Sequence, residues 1–402
     1  MHLIDLLKPL RAHAGTRHTP GLDDTTLARF ADYPELIEAV EAARAEYELI
    51  KGEIADLIEL DEDAQVRAVQ AGYINFYSDD AVNPYIALVA RGPWIVTLKG
   101  AVLHDSGGYG MLGFGHAPAT VIAAMAKPQA MANIMTPSLS QLRFERLLRD
   151  AIGFTNKGCP YTRFMCLNSG SESVGLAARI ADANAKLMTD AGGRHAGRAI
   201  KRVVVKGSFH GRTDRPALYS DSSRKNYLQH LASFRGENSV IAVEPYDVDA
   251  LKQIFVEADQ HGWFIEAIFL EPVMGEGDPG RALPVAFYKA ARELTQEHGS
   301  LLLVDSIQAG LRAHGVLSIV DYPGFQGLDA PDMETYSKAL NAGQYPLSVL
   351  AVNERAAGLY KKGLYGNTMT TNPRALEVAC AVLGQITPQL RENIRERGAE
   401  AM

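Results

Sequence analysis

From Leu36 onward, apolar residues fall at Leu36, Val40, Ala43, Tyr47, Ile50, Ile54 and Leu57, with Glu41, Arg44, Glu48, Lys51 and Glu53 between them. Alternating steps of four and three put these side chains on one face of an α-helix, so the pattern predicts a single amphipathic helix. A face of about three heptads suits either pairing with a second chain or docking on its own domain, and docking is the preferred reading. Beyond Tyr85 the pattern shortens to seven apolar or β-branched runs: "RFMCLN", "RVVVKGS", "VIAVEP", "AIFLEPV", "LLLVDS", "METYSKA" and "LSVLAV". Between several of them lie helical, often alanine-rich stretches such as Glu172 to Met188. Such runs belong to strands covered on both faces, which predicts an α/β class: a mostly parallel seven-stranded sheet with helices on both sides. The closing "TPQLRENIRERGAEAM" reads as helix without a cap or stop signal, as if the chain were cut short.

Composition narrows the function classes. The 402 residues are 47% hydrophobic and 22% charged, with a net charge of −7 and no block of five basic residues. That profile excludes an electrostatic footprint for nucleic acid or an anionic membrane and points to small-molecule partners. Three scattered cysteines, Cys159, Cys166 and Cys380, form no disulfide framework, and with no CxxC or HExxH no metal site is expected. The cysteines read as buried thiols in a reducing cytoplasm. No apolar run reaches eighteen residues, and the amino-terminal "MHLIDLLKPLRAHAG" is interrupted by Asp5 and Pro9, so neither secretion nor membrane spanning is expected.

One motif is a decoy. "GYGMLG", Gly108 to Gly113, fits GxGxxG, but a dinucleotide site needs an acidic residue about twenty positions on. No Asp or Glu occurs between Gly113 and Glu145. A stronger signal is "LNSGSES", where a strand gives way to a helix through Ser169, Gly170 and Ser171. Free amides, the positive helix end and two hydroxyls suit a phosphate dianion there, although an ordinary serine N-cap uses the same residues. In "KGSFHGRT", Phe209 and His210 follow a strand, placed either for packing or for stacking on a planar ring.

Asp305 ends the apolar run of "LLLVDS", where a buried carboxylate needs a cation from the protein or from a ligand. Lys338 poses the complementary problem, because desolvation drives a lysine toward its neutral, nucleophilic amine. Pyridoxal 5′-phosphate meets all four demands: it uses a lysine, a carboxylate at its ring nitrogen, a phosphate cup and a stacking aromatic.

The succession "NSGSES", "FHGRT", "EPVMGEG", "VDSIQAG", "YSKALNAGQYPLS" and "GNTMTTNP", over roughly Val96 to Leu383, resembles the class III (omega) aminotransferases among the fold type I pyridoxal-phosphate enzymes. The resemblance implies Lys338 as the Schiff-base lysine, Asp305 as the ring-nitrogen partner and Gln308 as a donor to the ring hydroxyl. It implies Gly170 and Ser171 at the phosphate, Phe209 over the ring, and Thr368 reaching the phosphate of a neighbouring subunit in a homodimer. Tyr109, Glu271 and Glu276 become substrate-pocket candidates, each with a structural role as the alternative.

The implied layout is a helical extension over 1–84, the first part of a small domain over 85–135, a large cofactor domain over 136–375, and the start of a carboxy-terminal small-domain segment over 376–402. Two departures stand out. Ser306 replaces the glutamate of the usual Asp-Glu-(Val/Ile)-Gln, and Met274 replaces a usual glutamine, so the local polar network of the family is not expected to persist. The expected activity is transfer of an amino group from an amine or amino acid to a keto acid or aldehyde, with a terminal amine as the preferred donor. An aminomutase, epimerase or decarboxylase on the same cofactor residues is the alternative within enzymes, and an inactive scaffold relative the alternative outside them. Retention of Lys338, Asp305 and the phosphate cup speaks against the scaffold.

Overall fold

The computed structural model describes residues 3–108, 113–130 and 134–401. The chain forms two compact units, Met1–Ile122 and Ala123–Met402.

In the first unit the helices Leu3–Arg11 and Pro34–Ile50 share a core with an antiparallel sheet of three strands, β1 (Ala87–Arg91), β2 (Trp94–Thr97) and β3 (Val102–His104). Leu36, Val40, Ala43 and Tyr47 bury the predicted apolar face against Leu7, Leu10 and Trp94, so this helix docks within its own unit. It ends earlier than its pattern predicts. The turn after Ile50 contains Gly52, and a short helix resumes only at Ala55–Ile58. Glycine inside a helix costs about 1 kcal/mol relative to alanine, enough to interrupt a periodic but marginal stretch.

In the second unit all seven apolar runs become strands of one sheet: β4 (Arg163–Leu167), β5 (Ala199–Val205), β6 (Val240–Val243), β7 (Trp263–Leu270), β8 (Leu301–Asp305), β9 (Met333–Tyr336) and β10 (Ser348–Val352). Their order is β4-β10-β9-β8-β7-β5-β6, with β10 antiparallel to both neighbours and the other pairs parallel. Every residue of β8, β9 and β10 is buried, which is why these runs show no alternation in sequence.

The helix Gly170–Thr189 lies on this sheet through Val174, Ala177, Ala178 and Ala181, whose small side chains let its backbone approach Phe269, Leu303, Met333 and Leu350. Because β10 runs against both β4 and β9, β4 points the same way as the parallel strands. The residues that follow β4, β5, β7, β8 and β9 therefore gather at one edge of the sheet, where open α/β folds place their ligands.

Candidate active site

Lys338 follows β9 and opens a short 3-10 turn, Lys338–Asn341. Its φ of 47° and the 51° of Ala342 lie in the left-handed region, which costs a non-glycine residue strain that the surrounding packing must hold. Burial pushes its ammonium below the ordinary lysine range, and the charge of Arg312 pushes further, against the opposing pull of Asp305, Glu276 and Glu271. The neutral amine is thereby brought closer to hand.

Asp305, 5% exposed, closes β8. Its Oδ2 is 2.9 Å from Nδ1 of His210, and its Oδ1 accepts the Ile307 amide at 3.1 Å. His210 is itself buried, stands edge-on to Phe269, and donates its backbone N–H to Ser220 Oγ at 2.9 Å. Its Nε2 is buried with no hydrogen-bond partner among the described residues. The imidazole therefore acts as a rigid prop that turns the carboxylate toward the strand edge.

Ser169 caps its helix, accepting the Glu172 amide at 3.3 Å while the Glu172 carboxylate accepts the amides of Asn168 and Ser169 at 2.8 and 3.1 Å. The serine hydroxyl is thus used for capping, as the alternative reading of this motif held. The Gly170 and Ser171 positions are fixed by close approach. A Cβ on Gly170 would sit 2.7 Å from Ile307 Cδ1, and one on Gly211 would sit 2.4 Å from Ser171 Oγ. Helix start, Asp305 loop and Phe209–Gly211 loop therefore abut, and the φ of 113° at Gly211 requires glycine there.

Phe209 donates its backbone N–H to Glu271 at 3.0 Å, and the Arg212 guanidinium lies over its ring at 5.1 Å. Glu271 also accepts the Gly275 amide at 3.0 Å. Its carboxyl is pushed up to about 7 by burial first, with Asp305 adding to the shift and His210 opposing it. A Cβ on Gly275 would meet Gln308 Oε1 at 2.2 Å, so the loop after β7 passes close against Gln308. Glu276 pairs with Arg212. Asn367, the neighbour of Thr368, binds both Asn168 and Glu172 at the helix start of its own chain, while Thr368 itself is exposed. Tyr109 lies outside the described residues.

Ser306 belongs to a polar network centred on Glu334 of β9. Ser306 Oγ donates to this fully buried carboxylate at 2.5 Å, joined by Tyr161 Oη at 2.7 Å, the Ile319 amide at 2.8 Å, Tyr336 Oη at 2.9 Å and Ser318 Oγ. Burial still raises the Glu334 carboxyl above its ordinary value. Glu334, Arg212 and Arg312 were not singled out from the sequence. Glu334 carried a legible signal, being a carboxylate inside an otherwise strand-like run. Among the described residues no group of His, Cys, Asp or Glu is placed to hold a metal, and no helix is long and apolar enough to cross a membrane.

Residues 76–402 match the class III aminotransferase family, and the chain belongs to that family. It is a pyridoxal-phosphate-dependent aminotransferase. Among its relatives, an acetylornithine aminotransferase of Xanthomonas campestris is 30% identical over 73% of this chain and 67% of its own length. An ornithine aminotransferase of Exiguobacterium is 27% identical over 79% of this chain and 73% of its own. The fold is shared with the crystal structure of ornithine aminotransferase from Toxoplasma gondii, at a TM-score of 0.68 and 22% identity over 86% of this chain and 75% of that one.

Proposed function

We propose that Lys338 carries the cofactor covalently and moves the proton of the reaction, that Asp305 faces the ring nitrogen, and that Gly170 and Ser171 receive the phosphate. The residues fit the group. A desolvated lysine, a buried carboxylate braced by His210 and a helix start crowded against two glycines stand at one strand edge. The Asp305–His210 pair is the observation that carries the reading, because a buried carboxylate braced by an imidazole at the end of β8 is placed to meet a cationic ring. When bound, pyridoxal phosphate supplies an electron sink for negative charge at the substrate carbon.

The protein's own share is positional. Lys338 Nζ, held partly desolvated, accepts a proton from the amine-bearing carbon and returns it nearby. Phe209, its loop fixed by Glu271, would cover one face of the ring, and Gln308 would hold the ring hydroxyl. Ser169 and His210 support these contacts, and Glu276 holds Arg212 beside the pocket, where Tyr109 is also proposed to contact substrate.

The relatives named for ornithine and acetylornithine support a donor with a terminal primary amine, and a keto acid or aldehyde as acceptor. We assign 136–375 to the cofactor domain, since the cofactor contacts run from Ser169 to Thr368. A homodimer with Thr368 reaching the partner's phosphate is the proposed working unit, and three free cysteines support a cytoplasmic setting. The test is reduction of the holoenzyme with borohydride followed by peptide mapping. The label is expected on Lys338, and a label on any other lysine overturns the assignment. Lys338→Ala should lose turnover by several orders of magnitude because nucleophile and base vanish together.

A further inference from the structure

Two loops leave the strand edge side by side, 273–280 after β7 and 308–313 after β8, and border an open cavity of about 290 Å³. Its wall includes Met274, Gly275, Gln308, Ala309 and Arg312. Arg312 is the only charged side chain in that lining, and it has no carboxylate within ion-pair distance among the described residues. Arg312 is exposed: one Nη1 hydrogen donates to the Gln308 carbonyl at 3.1 Å, and its other donors are open to solvent and to an incoming anion.

The backbone on either side is bent into place. Leu311 and His314 adopt φ of 64° and 57°, a region that leucine rarely occupies. The Leu311 and Ala313 amides are tied to Val316 and Ala309 at 2.7 and 2.9 Å, and Tyr322 Oη holds Ala309 at 3.3 Å. Strain maintained next to an unpaired cation calls for a role. Arg312 shares the cavity lining with Gly275 and Gln308, and its positive charge helps to hold the Lys338 ammonium below the ordinary lysine range. Arg212, by contrast, is neutralised by Glu276.

We infer that Arg312 is a specificity-determining residue that receives a carboxylate of the substrate in the cavity between these loops, so that the enzyme favours keto acids and carboxylate-bearing aldehydes over neutral carbonyl compounds. The inference rests on the assignment of Lys338 and Gln308 to the cofactor site. The cavity supplies the reason for an anion there: Met274 and Ala309 offer no charge of their own, Gln308 would be turned to the cofactor ring, and a planar carboxylate matches the guanidinium fork in two parallel hydrogen bonds.

The test uses holoenzyme in its pyridoxamine phosphate form and two acceptors of equal length, succinic semialdehyde and butanal, which differ by one carboxylate. In this half-reaction the amino group passes to the acceptor, whose carbonyl oxygen leaves as water, and the cofactor returns to its Lys338-bound form, a change followed in the visible spectrum. The wild type should prefer the semialdehyde, and Arg312→Gln should reduce that preference about 10- to 100-fold, mainly through KM, as expected for loss of a charged hydrogen-bonded pair. Arg312→Lys should restore part of it. Calorimetric titration with succinate, which has no carbonyl to react, should show binding weakened at least about tenfold in Arg312→Gln. A wild type that discriminates equally well after Arg312→Gln overturns the inference, as does unchanged succinate binding. A wild type that returns to the aldehyde form with neither acceptor nor any keto acid counts against the catalytic assignments themselves.

Discussion

His210 Nδ1 stands 2.9 Å from Asp305 Oδ2, and the two side chains come from the loop after β5 and from the end of β8. Neither residue is exposed enough for water to replace the other. Replacing His210 by Phe keeps a ring of similar bulk but leaves the Asp305 carboxylate with the Ile307 amide as its remaining hydrogen-bond partner among the described residues. Stranding one side of a buried polar pair costs about 1–3 kcal/mol, so cofactor affinity or thermal stability should fall by that order. Cofactor titration and a melting curve on the same preparation measure both, and a variant unchanged in either would show that His210 is not the prop.

Asp305→Asn makes a different cut. It keeps size and one acceptor oxygen but removes the negative charge. Turnover should fall far more than cofactor affinity, because the charge is needed at the ring nitrogen while binding also draws on the phosphate cup and Lys338. Equal losses in kcat and in cofactor dissociation constant would make Asp305 a binding or folding residue instead.

The seven strands and the gathering of Ser169, Phe209, Asp305 and Lys338 at one edge were legible because local patterns carry them: apolar runs too short for helices, each followed by a polar residue that a core would not tolerate. Other features were not legible, because they depend on contacts between segments far apart in the chain. His210 bonds a residue 95 positions away, and Glu334 collects Tyr161 from 173 positions away. Ser306 looked like the loss of a carboxylate until the neighbouring strand showed one beside it. The early end of the helix at Ile50 was missed for a local reason, since hydrophobic spacing persists across Gly52 while the backbone does not.

Glu271 gives the clearest dependence on pH. Its folded carboxyl is raised to about 7 from 4.5, so between those values the native state holds a proton that the unfolded chain releases. Its contribution to stability is complete below about 4.5 and is lost as pH rises through 7, amounting to up to about 3 kcal/mol. The groups acting on it are His210, which opposes the shift, and Asp305, which adds to it; Tyr246 and Lys338 also feel its charge. Glu271→Gln should flatten this part of the stability curve in denaturant titrations at pH 5 and pH 8. A variant with the wild-type slope would locate the titration elsewhere.

Glu334 tests whether its network holds the strand edge together. Glu334→Ala leaves the hydroxyls of Ser306, Ser318, Tyr161 and Tyr336 and the Ile319 amide without their shared acceptor, and a loss of about 3–5 kcal/mol is expected. Ser306→Ala removes one donor of five and should cost about 1 kcal/mol. Chemical denaturation of the two variants ranks them, and similar losses would mean that Ser306 rather than Glu334 organises the cluster.

Thr368 decides whether the active site is shared. Its loop is fastened to its own chain, since Asn367 bonds Asn168 and Glu172 at the start of the helix Gly170–Thr189, yet the Thr368 side chain is exposed and free to face another subunit. If it reaches a partner's phosphate, Lys338→Ala and Thr368→Ala lie in different sites of a mixed dimer. Subunits of the two variants, each nearly inactive alone, should then combine into hybrids with one site carrying both lesions and one carrying neither. At equal mixing about half of the dimers are hybrids, by the statistics of random pairing, so roughly a quarter of wild-type activity should return. Cofactor bridging two chains would also favour the dimer by mass action, and added pyridoxal phosphate should lower the dimer dissociation constant in sedimentation experiments. If subunit exchange is demonstrated with tagged chains and no activity returns, Thr368 serves its own chain, and the bonds of Asn367 are then the reason: they would hold the loop over the cup from which its own helix begins.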